Sequence, residues 1–119
     1  ERKRPMTSRV SNKLQEQGRS IGLPDVATLR EWLRDDPFFA KRTLETIFAY
    51  QTMEEQEAGE TLRHNGKGFT STDAQFLTSL AKHLHRKGDL SPKQTVWLHK
   101  KMPKYANQMW WTLWEQSAN

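Results

Sequence analysis

The sequence has no cysteine. Disulfides and thiolate metal sites are excluded, and a reducing, intracellular setting fits. No apolar run approaches 18 residues, so no membrane span is read. The start, Glu1-Arg2-Lys3-Arg4, has neither Met nor an apolar h-region and does not read as a signal peptide. No stretch alternates with period two over four or more residues, and no hairpin signal separates two such runs. Internal repeats and low-complexity tracts are also missing.

Catalytic spacing is equally scarce. His83 and His85 are two apart, which points them about 200° apart on a helix, whereas helical zinc sites use i,i+3 or i,i+4. His64 and His99 could join them only through the fold. Asp35-Asp36 precedes Pro37, where turn formation accounts for both. Gly66-Lys67-Gly68 lacks the buried strand and the Gly-Lys-Ser/Thr step of a P-loop. No serine sits at a strand-turn-helix nucleophile position. No catalytic residue, metal or cofactor is therefore expected.

What the chain does have is aromatics, charge and clear punctuation. Five Trp, five Phe and two Tyr let a polar chain of 119 residues bury a small core as one domain. Residues 1–22 hold six Lys/Arg against two acids, 23–60 four against nine, and 61–119 nine against three. Residues 1–6 read as a flexible basic tail. The remainder, 7–119, reads as a single helical domain, with N-terminal helices over 7–60 and a basic half over 61–119.

The punctuation predicts helices. Thr7–Gln17 carries Val10 and Leu14 four apart, and the run from Gly18 to Pro24 is expected to end it. Pro24 and Asp25 open a helix with Val26, Leu29, Trp32 and Leu33 as its apolar stripe, stopping before Pro37. A long helix is expected from about 38 to 59, with Ala40, Leu44, Ile47, Phe48 and Gln51 along one face. Its polar end, with Glu54, Glu55 and Glu57 at the wrong pole of the dipole, is read as frayed or as facing a partner.

Asn65-Gly66-Lys67-Gly68 predicts a turn, and Thr72 or Asp73 an N-cap. Phe69 is the expected buried anchor of that turn. The alternative is an anion nest of successive N–H groups. Phe76, Leu77, Leu80, Ala81 and Leu84 form the apolar face of a helix over 73–87, closed by Gly88. Ser91-Pro92-Lys93-Gln94 is a capping box with Pro at N1. Val96, Leu98 and Met102 are expected inside that helix, and Pro103 to interrupt it. A last helix, about 104–116, carries Tyr105, Met109, Trp110, Leu113 and Trp114. The fold expected is all-α, an irregular small bundle of about five helices.

Two surfaces stand out. Lys93, Trp97 and Lys100 fall on one helix face, with Lys101 and Lys104 beside them and Lys82, Arg86 and Lys87 on the preceding helix. Lysines neutralise phosphate and an exposed Trp can stack on a base, so these eight residues are the candidate nucleic-acid contacts. The plainer alternative leaves Trp97 in the core and the lysines as a solvated face. Trp111 is expected to be the exposed member of the Trp110-Trp111-Trp114 group. With Glu54, Glu55 and Glu57 it is the candidate surface for a protein partner.

The stretch from about Gln51 to Gln108 resembles a helical module of phage and bacterial proteins. The residues carrying the resemblance are Gln51-Thr52, Glu55-Gln56, Gly59, His64-Asn65-Gly66-x-Gly68-Phe69, Asp73, Phe76 and Ser79-Leu80-Ala81. They continue as Gly88-x-Leu90-Ser91-Pro92-Lys93-Gln94, Lys104-Tyr105-Ala106 and Gln108. The module occurs alone or beside DNA-processing regions and has a poorly defined function. The resemblance implies a cytoplasmic, bacterial or phage-infected setting associated with nucleic acid, and assigns no catalytic role. An adaptor or inhibitor that binds another protein is the expectation of the other class.

Overall fold

Helix α2, Val26–Asp35, is the element against which most of the others pack. Val26, Leu29 and Leu33 recur at helical spacing and are buried. Around them lie α3 (Pro37–Ala49), α6 (Pro92–Lys101), a short 3₁₀ turn (Met102–Tyr105) and α7 (Ala106–Ala118). α1 (Asn12–Ser20) precedes α2, α4 (Met53–Ala58) follows α3, and α5 (Ala74–Lys87) packs on α3. The computed structural model describes residues 9–62 and 67–118. Among these there is no strand, and the fold is all-α, a small helical bundle. The basic tail 1–6, His64, and Asn65 and Gly66 of the expected turn lie outside the described residues.

Several boundaries differ from the sequence expectation, each for a local reason. α1 begins one turn later than expected, because the Ser11 hydroxyl accepts the Leu14 N–H at 3.2 Å. It then runs through Gly18 instead of ending there. A Cβ on Gly18 would lie 3.0 Å from Cζ2 of Trp110, so this glycine lets α1 approach the indole. The expected long helix over 38–59 is two helices. α3 starts with Asp36 accepting the N–H groups of Phe38 and Phe39, and Pro37 occupies N1. It ends at Ala49, and Thr52 caps a new helix.

There Thr52 and Glu55 form a reciprocal capping box. The Thr52 hydroxyl accepts the Glu55 N–H at 3.2 Å, and the Glu55 carboxylate accepts the Thr52 N–H at 3.1 Å. Glu54 and Glu55 therefore sit in a first turn, the favourable pole for anions. The box read at Ser91 and Gln94 forms as expected, with Pro92 at N1. Pro103 does interrupt the following helix, but as a 3₁₀ turn that leads directly into α7.

The core joins α2, α3, α5, α6, the 3₁₀ turn and α7 through Leu29, Leu33, Leu44, Ile47, Leu77, Leu98, Met102 and Trp110. Phe69, buried as expected, lies between Phe48, whose ring it stacks on at 6.3 Å, and Tyr105, which it meets edge-on at 6.0 Å. Trp32 and Val96, expected inside, are at the surface. Trp32 meets Phe39 edge-on at 5.4 Å.

Candidate nucleic-acid interface

α5 and α6 are consecutive helices bridged by side chains. Asp73 reaches Lys101 at one place and Phe76 meets Trp97 at another. On the outer surface of α6, Lys93 and Lys100 fall within about 60° of Trp97 at 100° per residue. All three are exposed, and the Lys100 ammonium lies 4.9 Å from the centre of the indole ring. Phe76, read from sequence as core, is 40% exposed, and its ring centre is 5.9 Å from that of Trp97. It occupies the flank of the α5 stripe, where Leu77, Leu80, Ala81 and Leu84 fill the buried side.

The eight expected contacts do not form one surface. Lys93, Trp97 and Lys100 are together. Lys82, Arg86 and Lys87 are exposed on α5. By the helix period Lys87 shares the flank of Phe76, about 16 Å along the axis, whereas Lys82 lies on the opposite flank. Among the described residues none of Lys82, Arg86, Lys87, Lys93 and Lys100 is in an ion pair.

Lys101 and Lys104 are placed differently. Both turn onto the carboxylate of Asp73, at 3.4 and 2.5 Å. Asp73 was expected to cap α5, but its backbone is helical and it makes no cap bond. Its side chain is buried instead, and accepts from the Tyr105 hydroxyl at 2.9 Å and the Thr70 hydroxyl at 3.3 Å. Burial raises the Asp73 pKa, yet the bonds from Lys104 and Tyr105 and the two ammonium charges outweigh it and hold the carboxyl below its ordinary range. Tyr105 shifts the other way, raised by burial and by the Asp73 carboxylate. Lys101 and Lys104 thus serve a buried anion. Moving either to a nucleic-acid phosphate would weaken the compensation of that charge.

The segment before Asp73 is tied down by side-chain amides. The Gly68 N–H donates to Oε1 of Gln108 at 2.8 Å, and Nε2 of Gln108 donates back to the Gly68 carbonyl at 3.1 Å. The Phe69 N–H donates to Gln51 at 3.2 Å, and the Thr70 N–H to the Tyr105 hydroxyl. Of the four residues of the anion-nest alternative, Asn65-Gly66-Lys67-Gly68, the Gly68 N–H already has an acceptor, and Asn65 and Gly66 lie outside the described residues. Gly68 has φ +85, and a Cβ there would also meet Cγ of Gln51 at 2.9 Å. This interlock of Gln51, Gly68, Asp73, Tyr105 and Gln108 was not read from the sequence. What was legible is Gln51, from its place on the apolar face of the expected long helix, and the positive φ of Gly68, from the expected turn.

The expected partner surface needs correction. Trp111 is buried, because the first two turns of α7, Ala106 to Thr112, are enclosed on all sides except at Asn107. It meets Trp110 edge-on at 5.2 Å, while Trp114 stacks on Trp110 at 5.3 Å and is the half-buried one. Glu55 is also buried, in its capping box and against the Leu62 N–H. Glu54 and Glu57 remain exposed. These four residues do not make one surface. Apolar side chains that do face outward on the N-terminal helices include Trp32, Phe38 and Met53, the last two 79% and 77% exposed.

Of the histidines, His83 is half-buried, His85 exposed, and His99 bonds the Leu33 carbonyl through Nδ1 at 2.9 Å. Among the described residues no three His, Cys, Asp or Glu side chains are grouped to hold a metal ion, and no helix is long and apolar enough to cross a membrane. No family model, curated protein or solved structure matches the chain.

Proposed function

We propose that this chain is a non-enzymatic helical module that binds the backbone of nucleic acid through the basic surface of α6 and α5, without strong sequence preference. The observation that supports it is the exposed row Lys93–Trp97–Lys100, whose lysines are in no ion pair with the described carboxylates. Lysines in that state release counterions when they meet phosphate. Arg86 and Lys87 supply outer contacts, while Lys82, on the opposite flank of α5, is left out of the surface. Lys101 and Lys104 hold the fold beneath the row through Asp73. A bacterial or phage setting rests on the resemblance of residues 51–108 alone.

The test is the salt dependence of binding to labelled DNA. Changing Lys93 and Lys100 together to Ala should lower the slope of log affinity against log salt by about 1.4 on single strands or about 1.8 on duplex. An unchanged slope, or a parent protein that binds nothing at low salt, rejects the proposal. The reading as a protein-binding adaptor draws its support from Phe38 and Trp32 on the opposite half of the sequence. Capture of a bacterial protein that survives nuclease, and is lost on Phe38→Ser, would favour it.

A further inference from the structure

The row on α6 does not end at its lysines. Trp97 is 42% exposed and Phe76 40%, and the two rings, from two different helices, meet at an interplanar angle of 68°. Val96, 54% exposed, lies about 100° around α6 from Trp97, on the far side of Lys93 and Lys100. Lys100 rests over the indole at 4.9 Å, and Lys93 lies one turn away on the same side. An apolar aromatic pair held at the surface, with cations on one flank, has two chemistries to satisfy. Lysines alone suit any phosphate chain. The ring faces suit only a ligand whose own flat faces are accessible.

A duplex hides its base faces in the stack and presents phosphates, sugars and groove edges. A single strand exposes both the phosphates and the faces. We infer, resting on the phosphate-contact reading above, that the ligand of this surface is single-stranded nucleic acid, whose bases stack on the Phe76–Trp97 pair while Lys93 and Lys100 take the adjacent phosphates. Lys100 is suited to that exchange. Its cation–π contact is weak at an exposed site, so the ammonium can leave the ring for a phosphate as a base arrives. Stacking is tolerant of base identity, because every base has a π-face.

The test compares fluorescein-labelled oligo(dT), oligo(rU) and a duplex of equal length, across about 50 to 200 mM salt. The parent protein should bind the single strands more tightly than the duplex. Trp97→Leu keeps an apolar contact for Phe76 and removes the ring face. It should weaken single-strand binding by roughly 5- to 150-fold, the range for losing one stacked base, with the salt slope unchanged. Trp97→Tyr should restore most of the loss. Lys93→Ala should instead lower the slope by about 0.7. Equal losses on duplex and single strand, or no loss in Trp97→Leu while Lys93→Ala still weakens binding, overturn the inference and leave the phosphate reading intact. A parent protein that binds none of the three probes overturns both. A loss for oligo(rU) alone, or oligo(dT) alone, keeps the inference and names the strand.

Discussion

Asp73→Asn is expected to destabilise the protein more than any surface substitution. The Asp73 side chain is 2% exposed and receives four donors, from Tyr105, Thr70, Lys104 and Lys101. A hydrogen bond to a buried charged acceptor contributes about 1.5–3 kcal/mol, and the Tyr105 bond at 2.9 Å falls in that class. The lysines contribute less. Their side chains are 37% and 49% exposed, so water screens both pairs to about 1 kcal/mol or below each. Asn keeps one acceptor for Tyr105 but turns uncharged atoms toward two ammonium groups. The expected loss at neutral pH is about 2–4 kcal/mol by denaturant titration. It should also depend on pH in a specified direction. The folded pKa of Asp73 lies below the unfolded one, so its contribution is complete above the unfolded value near 3.9 and is lost as pH falls through the folded value. The gap between parent and variant should thus be full at about pH 5–7 and narrow below about pH 4. A variant as stable as the parent at neutral pH, or a gap that persists at the acid end, would refute the assignment of Asp73 as a buried, charge-compensated acceptor.

Tyr105→Phe should lose about 1–2 kcal/mol, and because the folded pKa of Tyr105 is raised, that gap should shrink as pH climbs past about 10; chemical denaturation at neutral and alkaline pH measures it, and a constant gap contradicts the shift. Phe69→Ala should cost about 3–5 kcal/mol, since Phe69 is fully buried between Phe48 and Tyr105; a thermal melt that matched the parent would remove it as the anchor. Gly68→Ala should cost about 1–3 kcal/mol, from φ +85 together with the close approach to Gln51, and an equally stable variant would show that the segment can rearrange.

The features legible in the sequence are those written in local spacing. Ser91 and Gln94 lie three apart and cap each other's backbone, so α6 and its start are readable without the fold. The same spacing stands at Thr52 and Glu55, but no apolar period follows it, and the segment reads as the frayed end of a longer helix. α4 is held by its cap and by Glu55 reaching Leu62, not by an amphipathic stripe. Trp111 shows the opposite limit. Assigning one of three indoles to solvent assumes that a helix buries a single face, and α7 is enclosed on nearly all sides over its first two turns. A helix buried all round has no outward stripe to read, so its exposure is decided by neighbours that come from α1 and α2. Asp73 fails for a related reason. Its position before an apolar period fits an N-cap, and only the approach of Tyr105 and Lys104, more than thirty residues onward, turns the carboxylate inward. That approach also divides the lysines, which sequence spacing alone leaves equivalent. Two of them compensate a buried charge, and two remain beside an exposed indole. The division is physical, because a buried carboxylate retains its cations far more strongly than solvent does.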